Sequence, residues 1–133
     1  MRGFAVGQEL DLGTRQYTLA DMRLFNLNKG ANHHTDFEEA RKIGLKRPLA
    51  AGVHYAAFAY EVLTNIYGTN WFYGGLFDTV YTAPVYSGDT LTMKATVTAL
   101  EGDRLDLDFT MVNQDGTSVL VGKASGRLPS REG

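Results

Sequence analysis

Apolar and polar positions change period along this chain, and each change marks an element. Leu91, Met93, Ala95, Val97 and Ala99 alternate with threonine or lysine, the period of a half-buried strand. Leu105, Leu107, Phe109 and Met111 alternate in the same way with Asp106, Asp108 and Thr110. The turn around Glu101-Gly102-Asp103 joins the two runs as a hairpin, and Asp115-Gly116 turns the chain into a third strand over roughly Ser118 to Leu128. Upstream, Trp71 to Tyr86 predicts another strand, with Pro84 at an edge or bulge and Ser87-Gly88-Asp89 as the turn out.

The first half of the chain follows a helical pattern instead. Leu49 to Tyr67 is the longest apolar segment, opened by Pro48, stopped by Gly68 and carrying Glu61 as its only formal charge. So apolar a helix predicts burial nearly all round. Its alanines, Ala50, Ala51, Ala56, Ala57 and Ala59, leave little bulk between helix and neighbour, which suits a curved sheet. Before it, Asp11 to Leu19 reads as a strand running into a helix start, because Thr18 and Asp21 have capping-box spacing ahead of Met22, Leu24, Phe25 and Leu27. Asn26 to Asn32 is rich in loop formers, and Thr35 with Glu38 then repeats the capping-box spacing. Phe37, Ala40 and Ile43 supply the apolar side of that second short helix and Gly44 its stop. One strand, short helices, a long central helix and an antiparallel meander make an α+β chain. No repeat or linker divides it, so residues 1–133 read as a single domain with Ser130 to Gly133 fraying at the end.

Composition narrows the partners. The chain has 133 residues, 44% of them hydrophobic, enough for one core without a staple. The absence of cysteine removes disulfides, thiolate nucleophiles and cysteine-held metal sites, and points to the cytoplasm. No run approaches the ~20 apolar residues of a membrane-crossing helix, and Met1 to Leu10 lacks the apolar stretch of a signal peptide, so neither membrane insertion nor secretion is expected. With 13 basic against 15 acidic residues there is no positive field for a phosphate backbone, which argues against nucleic acid and leaves a small molecule or a protein.

Three stretches then become familiar: Lys29-Gly30-Ala31-Asn32-His33-His34-Thr35-Asp36; Ala40 and Gly44 followed by Pro48-Leu49-Ala50-Ala51-Gly52; and Ala83-Pro84-Val85-Tyr86-Ser87-Gly88-Asp89-Thr90-Leu91. Over roughly Phe4 to Leu128 the chain resembles the MaoC-like (R)-specific enoyl-CoA hydratases. The resemblance implies a hotdog fold, a curved antiparallel sheet wrapped around one long central helix. It also implies a histidine paired with an aspartate five positions earlier, and a backbone N–H at the central helix start that binds the thioester oxygen. His34 and Gly52 match the histidine and the amide. An imidazole moves protons near neutrality, and an amide at a helix N-terminus stabilises a developing enolate oxygen. The aspartate has no counterpart: ungapped matching places Lys29 there, a one-residue slip places Asn28 there, and no carboxylate lies between Asp21 and Asp36. The motif's asparagine and proline are replaced by Ala31 and Asn32, which reshapes the loop.

Several residues are candidates to complete the site. Lys29 is a solvated loop lysine, a contact for a phosphate of coenzyme A or phosphopantetheine, or a group facing the reaction centre. Asn28 and Asn32 are candidate substrate contacts. His54, two residues after Gly52, either bonds within the core or across a dimer interface, or replaces the missing aspartate. Glu61 either pairs with an arginine or serves as the central-helix carboxylate that some hotdog thioesterases use. Ten of the fifteen aromatic residues fall from Tyr55 to Tyr86, and Trp71, Phe72 and Tyr73 are candidate pocket residues. Asp89 reads as turn chemistry, His33 as exposed, and no metal-ligand spacing is present. The first hypothesis is an acyl-thioester hydratase or dehydratase acting on a small acyl substrate, with no cofactor beyond the CoA or acyl-carrier thioester, and with a homodimer building the site. The alternatives are a thioesterase, addition of a nucleophile other than water, a non-catalytic acyl-binding partner subunit, and acid–base catalysis on a non-thioester metabolite.

Overall fold

The computed structural model describes residues 3–26 and 30–130. Strand β1 (Glu9–Gln16) leads into helix α1 (Leu19–Phe25), then α2 (Phe37–Lys42) and α3 (Gly52–Tyr67). A 3₁₀ turn (Gly68–Phe72) precedes β2 (Leu76–Tyr81), and β3 (Thr90–Glu101), β4 (Arg104–Val112) and β5 (Ser118–Arg127) follow. The five strands form one sheet in the order β1-β3-β4-β5-β2, every neighbouring pair antiparallel. The alternation read from the sequence sets the meander. Leu91, Met93, Ala95 and Val97 of β3 and Leu105, Leu107, Phe109 and Met111 of β4 are all buried, and they join Phe58, Ala59, Val62, Leu63 and Tyr67 of α3 in one core. The fit is close at Gly126 of β5, where a Cβ would stand 3.1 Å from the Tyr67 ring.

Four expectations need correction, each for a long-range reason. Helix α3 begins at Gly52 rather than near Leu49. The preceding residues are extended because they bond to the segment before β3: Leu49 bridges Tyr86, Ala50 N–H donates to Val85 O at 2.7 Å, and Ser87 N–H donates to Pro48 O at 2.9 Å. Nor is α3 buried nearly all round, since Val53 is 66% and Tyr60 50% exposed. One sheet covers one face of the helix, and nothing among the described residues covers the other.

The cap of α2 is Asp36, which accepts from Glu39 N–H at 3.1 Å, and not Thr35. Thr35 is buried beneath the preceding turn, its hydroxyl accepting from Asn32 N–H and donating to Gly30 O. The strand expected over Trp71 to Tyr86 is shorter. Trp71 stacks on Tyr67, with ring centroids 5.4 Å apart, and Asn70 Nδ2 donates to Leu128 O, so the chain stays in its turn until Gly74 and Gly75. The cap of α1 is as read, Thr18 accepting from Asp21 N–H. Of that helix's apolar residues only Met22 is buried, and Leu27 lies outside the described residues.

Candidate active site

His34 stands in the turn between α1 and α2, and short polar contacts hold it. Asn32 Oδ1 accepts from His34 N–H at 2.8 Å, while Asn32 O accepts from the N–H groups of Thr35 and Asp36. His33 O accepts from Leu49 N–H at 2.9 Å, which ties the turn to the approach to α3. His34 Nδ1 lies 2.6 Å from Leu49 O. A carbonyl only accepts, so Nδ1 carries the hydrogen, and in the neutral ring Nε2 is the nitrogen with the lone pair.

The imidazole borders a cleft of about 430 Å³ together with Ala50, Gly52, Tyr55, Tyr81 and Pro84. Gly52 opens α3, and the residue before it, Ala51, provides no side-chain cap. The positive end of a 16-residue helix therefore meets the cleft without a built-in acceptor. A Cβ at Gly52 would sit 3.1 Å from the Tyr81 ring, so a larger residue here would have to shift that ring by a few tenths of an ångström. Tyr55 packs edge-on to Tyr81 at 5.6 Å, and burial pushes its phenol up to about 12, so it stays protonated at neutral pH. Neither tyrosine was singled out from the sequence. The concentration of aromatics was the available signal, but it pointed equally to every aromatic in that stretch.

The other candidates are dispersed. His54 is two residues from Gly52, about 200° around the helix, and lines a different depression of about 380 Å³ with Arg15, Tyr17, Asp21 and Phe25. It stacks on Phe25 at 4.3 Å, meets Tyr17 edge-on at 4.9 Å, and its buried Nδ1 has no partner among the described residues. Burial pulls its imidazole below the usual range, with Asp21 opposing and Arg15 reinforcing. Asn32 turns its side chain to the His34 backbone, so it shapes the turn. Trp71 packs against the core, Phe72 and Tyr73 are exposed, and none of the three borders the His34 cleft.

Glu61 is exposed and paired with Arg15 at 3.0 Å, which holds its carboxyl below the ordinary range. Asp89 is buried in its turn, accepting from Tyr86 N–H at 2.9 Å and Gln114 Nε2 at 3.0 Å. His33 is half-buried against His34, ring centroids 3.9 Å apart, rather than exposed. Burial, then the neighbouring imidazole, lower its pKa. Asn28 and Lys29 lie outside the described residues. Among the described residues no group of three or more His, Asp or Glu is placed to hold a metal ion, and no helix is long and apolar enough to cross a membrane.

Comparison with known proteins agrees with this architecture. The family model described as a MaoC like domain matches residues 3–116, and the chain belongs to that family. An (R)-hydratase from A. caviae involved in PHA biosynthesis superposes with a TM-score of 0.77 at 24% identity, covering 97% of this chain and 100% of that one. The R-hydratase PhaJ1 from Pseudomonas aeruginosa gives a TM-score of 0.77 at 25% identity, covering 96% and 84%. The ChsH1-ChsH2 complex from Mycobacterium tuberculosis gives 0.76 at 17% identity, covering 94% and 98%. No curated protein matches the chain. The fold is the hotdog fold, five antiparallel strands packed on one central helix, and the family is that of the MaoC-like hydratases and dehydratases.

Proposed function

We propose that this protein hydrates enoyl thioesters, or dehydrates the corresponding hydroxyacyl thioesters, with His34 as acid–base and the Gly52 amide as donor to the thioester oxygen. The observation that supports the reading is the His34 Nδ1 contact to Leu49 O, which leaves Nε2 as the ring nitrogen available for proton transfer on a residue that borders the same cleft as Gly52. In the forward direction His34 Nε2 takes a proton from water as the oxygen bonds to Cβ, and the C=C electrons move toward the carbonyl to form an enolate. The oxyanion lies at the positive end of α3. The imidazolium then returns the proton to Cα, so one water has been added. This is acid–base chemistry throughout and calls for no diffusible cofactor besides the thioester's own CoA or acyl carrier.

A second copy of the chain belongs to this reading. The outer edge of β2 pairs with no strand among the described residues, and Leu76, Val80, Val53 and Tyr60 are exposed on β2 and α3. A homodimer would cover them. One observation favours a second reading: no Asp or Glu among the described residues borders the His34 cleft. A non-catalytic subunit, or addition of a nucleophile other than water, would fit such a cleft. The test is turnover of a panel of enoyl-CoA thioesters followed by mass spectrometry, with wild type against His34→Ala. The expected result is water addition by wild type and a loss of at least ~100-fold in the variant. Absence of hydration by a folded dimer that still binds thioesters overturns the hydratase reading in favour of the second.

A further inference from the structure

We propose that the Tyr81 hydroxyl is a second donor to the thioester oxygen, beside the Gly52 amide, which makes Tyr81 a catalytic residue of this site. The inference rests on the thioester reading above and deepens it.

Tyr81 ends β2 and is held on both sides. It pairs with Leu120, and the next residue, Thr82, donates through N–H to Val119 O at 3.0 Å and through Oγ1 to Ser118 O at 2.8 Å. The backbone is thus fixed where the ring leaves it. The ring lies over the first residue of α3: a Cβ built on Gly52 would be 3.1 Å from two ring carbons and 3.3 Å from Oη. Tyr55 supports the ring edge-on at 5.6 Å. The hydroxyl therefore sits within one residue's width of the uncapped helix start, in the cleft that His34 borders. Tyr81 makes no hydrogen bond through this hydroxyl among the described residues, and with 49% of the residue exposed its O–H is open to a ligand.

The chemistry gives this hydroxyl a use. The enolate formed during hydration carries its charge on the thioester oxygen, and two donors from different directions stabilise that charge better than one. The donors differ in kind: the Gly52 amide comes with the helix dipole, whereas the phenol is a neutral O–H on a rigid ring. No proton needs to leave Tyr81, which only hydrogen-bonds to the oxygen and releases it when the enolate collapses. Removing one full oxyanion donor typically costs about 100- to 1000-fold in kcat. A partly exposed phenol, whose loss water partly replaces, is expected at about 10- to 100-fold.

The experiment compares wild type with Tyr81→Phe, which keeps the ring over Gly52 and removes only the hydroxyl. Infrared spectra of a bound four-carbon saturated CoA thioester, labelled at the carbonyl, are read beside kcat and KM for enoyl hydration. The expected result is a lowered carbonyl frequency in wild type that partly relaxes in the variant, with kcat down about 10- to 100-fold and KM nearly constant. An unchanged carbonyl frequency in Tyr81→Phe overturns the proposal whatever kcat does, and leaves the hydratase reading standing if wild-type hydration still depends on His34. A Tyr81-dependent carbonyl shift without any hydration keeps the donor and removes the hydratase reading. Failure of the folded protein to bind any thioester overturns both.

Discussion

At its C-terminal end α3 closes on Gly68, whose φ of 61° lets the chain leave the helix, and Tyr67 there is fully buried with its hydroxyl donating to Leu105 O at 2.8 Å. At its N-terminal end Ala51 supplies no cap, and two buried polar atoms nearby, Tyr17 Oη and His54 Nδ1, have no partner among the described residues. The same helix thus has one end where each named polar group is matched and another where several are not. Packing explains the first, since Gly126 lets the strand approach the Tyr67 ring. At the second, the uncapped helix start borders the His34 cleft, while Tyr17 and His54 line the separate depression.

The difference between the ends can be attacked by substitution. The largest effect is expected for Leu63→Ala, which empties a fully buried position in the C-terminal half of the helix and should cost ~2–5 kcal/mol, read by urea unfolding. Thioester turnover measured where the variant remains folded should fall far less than its stability does. Gly52→Ala reverses that pattern. The new methyl meets the Tyr81 ring, so turnover should drop ~10-fold or more, about 1.4 kcal/mol in the barrier, while the unfolding midpoint barely moves. Equal losses of activity and stability would break the division between the two ends.

A pair of identical chemical changes sharpens it. Tyr67→Phe removes a hydroxyl with a partner and should destabilise by about 1 kcal/mol. Tyr17→Phe removes a buried hydroxyl without one and should be neutral or stabilising by a few tenths of a kcal/mol. Opposite signs in the same denaturation series are the expected outcome. If both variants lose stability equally, Tyr17 has a partner in the working protein, such as a ligand.

The smallest effect is a pH slope. Burial favours neutral His54, so the unfolded chain binds this proton more readily than the folded one. Stability from His54 is therefore complete above its ordinary value of 6.5 and is lost as pH falls through that value toward its lower folded one. His33 acts in the same direction. The urea midpoint should decline from pH 7.5 to 5.5, and His54→Phe should flatten the decline without abolishing it.

Much of this was legible in the residues. The alternation in β3 and β4, the Thr18 cap and the Gly68 stop depend on neighbours a few positions apart, and sequence displays such periods directly. His34 and Gly52 were legible only through the resemblance of their stretches to the family's motifs. Their arrangement was not. That Leu49 brings its carbonyl to His34, that Tyr81 rather than Trp71, Phe72 or Tyr73 meets Gly52, and that His54 faces another depression all depend on contacts far apart along the chain. The sequence by itself determined the α+β plan, the strand faces and the family motifs that contain His34 and Gly52. Only the tertiary structure decided where α3 starts, which nitrogen of His34 meets the Leu49 carbonyl and which tyrosines reach the cleft. Period and capping are local properties of the backbone, whereas tautomer and proximity depend on which distant carbonyl or ring the packed chain brings within hydrogen-bonding or contact distance.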